Sequence, residues 1–447
     1  KEEKMRFFVF LSMFLFMAVI SAENSWITQR ASEFGTASGS FIHVGTRTKG
    51  YAMGVADNGQ GQKSPYCFVM TDGMTWNDCS PNLVGGMKFV MPARVLPNGK
   101  LVGVIVEMQG FSQLSSFIVS DDMANFIPVT IFDSKNKDDQ TSFYGEALSV
   151  IGNTVWLGLK NGKIKKSTDL GSTWENIVVS IDTEMEMSVV KFSDTMNGIA
   201  AGGVVKEGFG SEGGTEYDVL KKGAIYKTGD GGNTWTPIVE NLEMFPEDVI
   251  VTSSGRIFLQ FYDDDAMNDS STGQKPIVWS DDGFSTFSGK NKSFDIPVPS
   301  GTFSMESVMD MDAGAVDEIW VAGFCGSGFN FKPCTIDTTD GGQTWWERLV
   351  IGAGKLGPIS VLDSSHVYIA AMSKAMYKWG DPNEDFTEPE VPDETETPDG
   401  NTVTPDENQE NDDSQTADEN VTADNEGNDD EIAFEDEEVG CGCSFIN

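Results

Sequence analysis

The sequence predicts an all-β fold: a seven-bladed β-propeller of four-stranded antiparallel blades, closed by the N-terminal strand and followed by a disordered acidic C-terminal tail. Three observations carry this reading. One eight-residue pattern occurs three times, as STDLGSTW (167–174), TGDGGNTW (228–235) and TTDGGQTW (338–345). Aromatic residues that close such turns recur at intervals of roughly 50–60 residues, the length of a four-stranded blade with its loops. The two ends of the repeat region are complementary fragments of one blade.

Each full copy reads Ser/Thr, any, Asp, any, Gly, any, Thr, Trp. The residues concerned are Ser167, Asp169, Gly171, Thr173 and Trp174; Thr228, Asp230, Gly232, Thr234 and Trp235; and Thr338, Asp340, Gly342, Thr344 and Trp345. Hydroxyl and carboxylate side chains bond nearby backbone N–H groups, and glycine accepts positive φ. A short alternating strand precedes each copy (KIKKS, AIYKT, CTIDT), so the pattern reads as a hairpin turn closed by a large apolar anchor. With these residues the chain resembles the Asp-box, or BNR, repeat family, whose members include sialidases, sortilin-type receptors and Ycf48-type photosystem II assembly factors.

Degenerate copies extend the series: MTDGMTW (70–76), SDDMANF (120–126) and SDDGFSTF (280–287). Six turns therefore end at Trp76, Phe126, Trp174, Trp235, Phe287 and Trp345. A second apolar segment lies upstream of each: YAMGVA, KLVGVIV, TVWLGL, GIAAGG, RIFLQF and EIWVAG. A seventh, HVYIAA (366–371), is followed by AMYKW (375–379), and no box follows it. Ser25-Trp26-Ile27-Thr28 looks like the missing half of that box, so the N-terminal strand is expected to complete the last blade beside Trp379. Pairing the ends in one sheet removes two exposed edges.

Residues 1–22 read as a signal peptide, with Arg6, an apolar run over 7–20 and small residues at Ser21 and Ala22; residues 1–4 precede Met5. The propeller is expected over 23–380. The segment 381–440 holds 25 Asp or Glu and no Lys or Arg, which predicts a disordered, self-repelling linker. The ending over 441–447 carries Cys441 and Cys443 and resembles the start of a myxobacterial-type sorting tail; in that family an apolar helix and an arginine cluster follow, and neither stands here. That resemblance implies secretion and attachment to the outer cell surface.

Export makes the other cysteines interpretable. Cys67 and Cys79 are equidistant from Gly73, and Cys325 and Cys334 bracket the loop GSGFNFKP, so both pairs are expected as cross-strand disulfides. The only histidines, His43 and His366, are not at metal-ligand spacing from cysteine pairs. A net charge of −40 disfavours nucleic acid as a partner.

In a blade, box turns and the loops between the second and third strands lie at opposite ends. The longest of those loops span 204–222, 262–275 and 324–333. They offer Phe209, Tyr217, Phe329 and Phe331 with Asp263, Asp264, Asp265 and Asp269, a set suited to protein or glycan contact. The acidic loop YDDDAMNDSS invites calcium but lacks the spacing of an EF-hand, so no metal or other cofactor is expected. Sialidases need an arginine cluster and an Arg-Ile-Pro motif; this chain has six arginines, none followed by Ile-Pro. The sequence therefore reads as a monomeric, secreted or surface-tethered binding module without evident catalysis. The alternatives are a polysaccharide hydrolase working through a carboxylate pair and a Ycf48-like assembly factor.

Overall fold

The computed structural model describes residues 24–31, 36–57, 63–83, 87–109, 112–206, 220–262, 277–286, 294–298, 301–325, 332–350, 355–371 and 374–384. Strand β1 (Ser25–Arg30) belongs to the last blade. Blade 1 is β2 (Thr36–Val44), β3 (Gly50–Asp57), β4 (Lys63–Met70) and β5 (Trp76–Asp78); blade 2 is β6 (Met87–Val95), β7 (Leu101–Gln109), β8 (Ser112–Ser120) and β9 (Ile127–Phe132). Blade 3 is β10 (Leu148–Ile151), β11 (Thr154–Gly158), β12 (Lys163–Ser167) and β13 (Glu175–Val178); blade 4 is β14 (Glu186–Phe192), β15 (Gly198–Lys206), β16 (Leu220–Thr228) and β17 (Thr236–Leu242). Blade 5 has three described strands, β18 (Phe245–Val251), β19 (Ile257–Tyr262) and β20 (Ile277–Ser280). Blade 6 has five, β21 (Phe294–Val298), β22 (Gly301–Ala315), β23 (Glu318–Cys325), β24 (Lys332–Thr338) and β25 (Trp346–Leu349). Blade 7 is β26 (Ile359–Asp363), β27 (His366–Ala370), β28 (Met376–Gly380) and β1.

Blades 5 and 6 depart from the even division into fours. Val298 pairs with Gly301, so β21 folds back on the first part of β22 and joins the sheet of blade 6. A two-residue connection makes that local pairing entropically easy. The rest of β22 pairs with β23 as the inner hairpin of the blade.

The innermost strands β2, β6, β10, β14, β18, β22 and β26 each neighbour the next, and β26 returns to β2, which closes the ring. Among the described residues there are seven apolar clusters, one for each seam between blades. The core is therefore radial: sheet faces pack on the neighbouring blade, as Phe41 and Tyr51 of blade 1 do with Val90 and Ile118 of blade 2. The last seam joins Tyr368 and Met376 of blade 7 to Phe68 and Trp76 of blade 1.

Closure follows the expected route. Trp26 stands opposite Trp379 in the β1–β28 ladder. Both expected disulfides are formed, Cys67–Cys79 with Cα atoms 5.2 Å apart and Cys325–Cys334 with Cα atoms 5.8 Å apart. Such bonds suit an oxidising compartment.

Candidate functional site

The box turns are built as internal scaffolds. In blade 3 the Asp169 carboxylate accepts from Ser167 Oγ at 2.7 Å, Thr173 N at 2.8 Å and Thr173 Oγ1 at 2.7 Å, while Ser167 Oγ accepts from Gly171 N at 2.8 Å. Trp174 Nε1 donates to Gly171 O at 2.9 Å. Asp230 and Asp340 repeat the arrangement with their own hydroxyl, threonine and tryptophan partners. These bonds, first those from the following threonine, hold the Asp169 and Asp230 carboxyls down at about 2. Asp340 also lies below its ordinary value: burial would raise it, but the bonds from Thr344 and Thr338 outweigh that.

Each turn is also tied to its surroundings. The turn of blade 3 rests on the first hairpin of its own blade through Leu170 N–H to Asn153 O at 2.9 Å, and the turns of blades 4 and 6 do so through Gly231 to Met196 and Gly341 to Asp317. A donor from the preceding blade adds a second tie: Thr130 Oγ1 to Gly171 O, Trp156 Nε1 to Gly231 O and Arg256 Nη1 to Gly342 O. The aspartate, hydroxyl and indole groups of the pattern thus brace the turn itself, and its glycine carbonyls tie it to the preceding blade.

At the opposite end, Phe209, Tyr217, Asp263, Asp264, Asp265, Asp269, Phe329 and Phe331 lie outside the described residues. The strand ends that carry them are described. Val204 pairs with Lys222 and Lys206 with Leu220 at the base of residues 207–219, and the Cys325–Cys334 bond crosses the base of residues 326–331. Blade 3, by contrast, turns within residues 159–162, with Gly162 at φ +72°.

Around the axis the structure assembles a charged cluster from six consecutive blades. Arg94 donates to Gly145 O at 2.9 Å and to Glu146 Oε2 at 3.1 Å. Lys191 Nζ lies 3.2 Å from Glu146 Oε2 and 2.5 Å from Asp248 Oδ1. His43 Nδ1 accepts from Val95 N at 3.1 Å, which puts its ring proton on Nε2. Asp310 and Asp312 reach from β22 to the next blade, where they accept from Ile359 N at 3.0 Å and Val361 N at 2.8 Å. Ser360 and Ser149 do the same for Val44 N and Phe192 N. The inner strand of a blade has one edge without a ladder partner, and these side chains satisfy it.

Burial and charge set the protonation of the cluster. Burial, then Arg94, pushes His43 down to about 3, so it is neutral. Glu146 is half-buried, and although desolvation alone would raise its carboxyl, Lys191 and Arg94 hold it low. Burial lifts Asp248 above the carboxylate range against the pull of Lys191. Asp248 Oδ2 and Oε1 of Gln260, its cross-strand partner, are buried acceptors without a donor among the described residues. Burial raises Asp312 to about 7 against Lys191, with Glu146 and Asp248 adding to the rise. The cluster is a set of inter-blade ties, since its carboxylates face backbone N–H groups or the Lys191 and Arg94 cations. No motif in the sequence announces it. The available signal was a charged residue inside an otherwise apolar strand, as in SVVKF (188–192) and PEDVIV (246–251), where burial demands a partner.

The five described arginines stand on five blades: Arg30 over Phe68, Arg47 beside Glu384, Arg94 on Glu146, Arg256 on Asp281 and Arg348 on Asp337. They form no cluster for a substrate carboxylate. Among the described residues no group of three or more His, Cys, Asp or Glu side chains is arranged to hold a metal ion.

No protein-family model matches the chain, and no curated protein matches it in sequence. Solved structures do resemble it. A Ycf48 protein bound to a D1 peptide is 17% identical with a TM-score of 0.50, over 80% of this chain and 97% of that one. Ycf48 from Cyanidioschyzon merolae is 12% identical with a TM-score of 0.45, over 80% of this chain and 100% of that one. An ulvan lyase of polysaccharide lyase family 25, bound to a glucuronate and sulfated rhamnose saccharide, is 12% identical with a TM-score of 0.47, over 81% and 95%. At these identities the likeness concerns the fold alone.

Proposed function

We propose that this chain is a secreted or cell-surface-tethered propeller that binds a protein or glycan on the end opposite its box turns, and that it acts as a binding or scaffold module. The observation that carries this reading is the unequal use of the two ends. At the box end the carboxylates, hydroxyls, glycine carbonyls and indole N–H groups of the full turns are engaged with one another or with the neighbouring blade. From the strand ends on the other side the chain runs through residues 207–219 and 263–276, far longer than a blade needs, as the four-residue connection of blade 3 shows, while residues 326–331 between Cys325 and Cys334 exceed it only slightly. Long connections on a rigid scaffold are where recognition resides. The disulfides and the signal-like residues 1–22 favour an oxidising location, and the acidic segment 381–440 with Cys441 and Cys443 is the proposed tether.

A pull-down from the native envelope, run beside a glycan array and a glycan-turnover screen, tests the reading. The expected outcome is a captured protein or glycan whose binding falls at least tenfold in Phe329→Ala/Phe331→Ala or in Asp263→Asn/Asp264→Asn/Asp265→Asn, at unchanged Tm. Robust turnover of a polysaccharide, abolished by changing one pair of acids in a folded protein, would replace it with a hydrolase.

A further inference from the structure

A carboxylate is held on the box side of the last seam. Glu384 Oε1 lies 2.6 Å from His366 Nε2 and 3.8 Å from Arg47 Nη1, and its Oε2 accepts from Lys378 Nζ at 2.5 Å. These partners come from three places in the ring: the start of β27, the middle of β28, and the β2–β3 turn of the neighbouring blade. The His366 and Lys378 side chains are 4% and 1% exposed, whereas Arg47 is 56% exposed at the rim. Asp363 orients the histidine through Nδ1 at 2.7 Å, and Ser365 N–H donates to the same carboxylate oxygen at 2.8 Å. The body of the propeller thus supplies a buried ammonium and an oriented imidazole at the floor, with a guanidinium at the mouth. Two charge-assisted contacts to the two oxygens of one ligand match a carboxylate.

Glu384 reaches this place because the chain reverses just past β28. Asn383 N donates to Asp381 Oδ1 at 2.8 Å, and Glu384 N donates to Asp381 O at 3.2 Å. Burial alone would raise the Glu384 carboxyl, yet the bonds from Lys378 and His366 hold it below its ordinary value. Glu384 also stands at the root of the segment 381–440, with its 25 acids and no bases.

We propose that Arg47, His366 and Lys378 form a carboxylate-binding site on the box end, that Glu384 fills it in cis, and that the site thereby fixes the root of the acidic segment to the propeller. The site is a property of the ring and takes any small carboxylate once Glu384 is removed. Where the segment acts as the tether, this attachment turns the loop end outward; that consequence rests on the function proposed above, while the binding site does not.

Full-length Glu384→Ala and wild type are compared in thermal melts at pH 7 while sodium acetate is titrated against sodium chloride at equal ionic strength. Loss of the buried acceptor is expected to lower Tm by on the order of 5 °C. Acetate should then restore Tm saturably and by more than chloride in the variant, with no difference between the salts in wild type. Adding Arg47→Ala, a rim change compatible with folding, should raise the half-saturating acetate concentration severalfold. Equal effects of acetate and chloride on folded Glu384→Ala, or acetate rescue indifferent to Arg47, would overturn the site. Envelope or glycan binding at the loop end is measured separately, and its failure leaves the acetate result standing.

Discussion

Trp26 lies directly opposite Trp379 in the closing ladder, with ring centroids 5.7 Å apart, so the two ends of the propeller meet inside one sheet. Trp320 of blade 6 packs on both, at 6.4 Å from Trp26 and 5.9 Å from Trp379. The seam also shows what an absent box turn costs locally. Trp174, Trp235 and Trp345 each donate to the glycine carbonyl of their own box, whereas the Trp26 indole N–H is buried without an acceptor among the described residues. Trp156 donates to the box of the following blade at Gly231 O, and Trp320, at the matching place in its blade, turns to Glu318 Oε1 at 3.2 Å instead.

Trp26→Ala is therefore expected to loosen closure. It removes two aromatic contacts from a half-buried site, a loss of about 2–4 kcal/mol in urea unfolding. Trp26→Phe should recover most of it. A loss below about 0.5 kcal/mol, the usual size of a surface change, would mean that β1 does not hold the ring.

Two glycines with positive φ separate backbone strain from crowding. Gly152 has φ +58° with open space where a Cβ would stand, so Gly152→Ala should cost only about 1–2 kcal/mol, the left-handed penalty. Gly171 has φ +85°, and a Cβ there would meet a Phe117 ring carbon at 2.2 Å. Gly171→Ala should exceed the Gly152 change by about 1–3 kcal/mol, since the ring must move in a packed seam. Equal losses in the two variants would show that the box glycine is there for its backbone alone.

The box aspartates set an acid limb. The Asp230 carboxyl titrates at about 2 in the folded chain, held first by the Thr234 hydroxyl, against roughly 3.9 when unfolded. A depressed carboxyl contributes stability above its unfolded value, and that contribution is lost as pH falls toward about 2. Asp230→Asn should flatten the fall of Tm between about pH 4 and pH 2 and lower Tm at pH 6. An acid limb identical to wild type would remove Asp230 from that role.

Much of this architecture was legible because the repeats mark turns, and turns carry their own chemistry. Asp169, Gly171 and Trp174 act within a few residues of one another, so their roles follow from local geometry. Trp26 and Trp379 could be paired across the chain because each was visibly half of one blade. The axial cluster was not legible: Lys191 meets Glu146 and Asp248 from neighbouring blades, and no spacing in the sequence announces contacts between three separate blades. The transfer of β21 to blade 6 was missed for the opposite reason, since the local pairing of Val298 with Gly301 outweighed the even division into four-stranded blades. Lys378 lies in AMYKW (375–379), where nothing in the sequence assigns it a partner, and only the fold brings Glu384 to it.

Asp312 gives a pH dependence of the opposite sign to Asp230. Its carboxyl is lifted to about 7 by desolvation in a half-buried place, with Glu146 and Asp248 adding to the rise, although Lys191 pulls the other way. The folded chain therefore holds a proton that the unfolded chain releases near pH 4, and the linked stability declines as pH rises from about 4 to about 7. Asp312→Asn removes that proton equilibrium while leaving an amide oxygen to accept from Val361 N, the tie between blades 6 and 7. The amide cannot also accept from Ala313 N, so the variant should start less stable at pH 5. Wild type should then lose its advantage by about 2–4 kcal/mol between pH 5 and pH 8, measured as the difference in urea unfolding free energy. Parallel pH profiles for the two proteins would mean that Asp312 is already ionised in the fold, and that Lys191 compensates it fully across the axis.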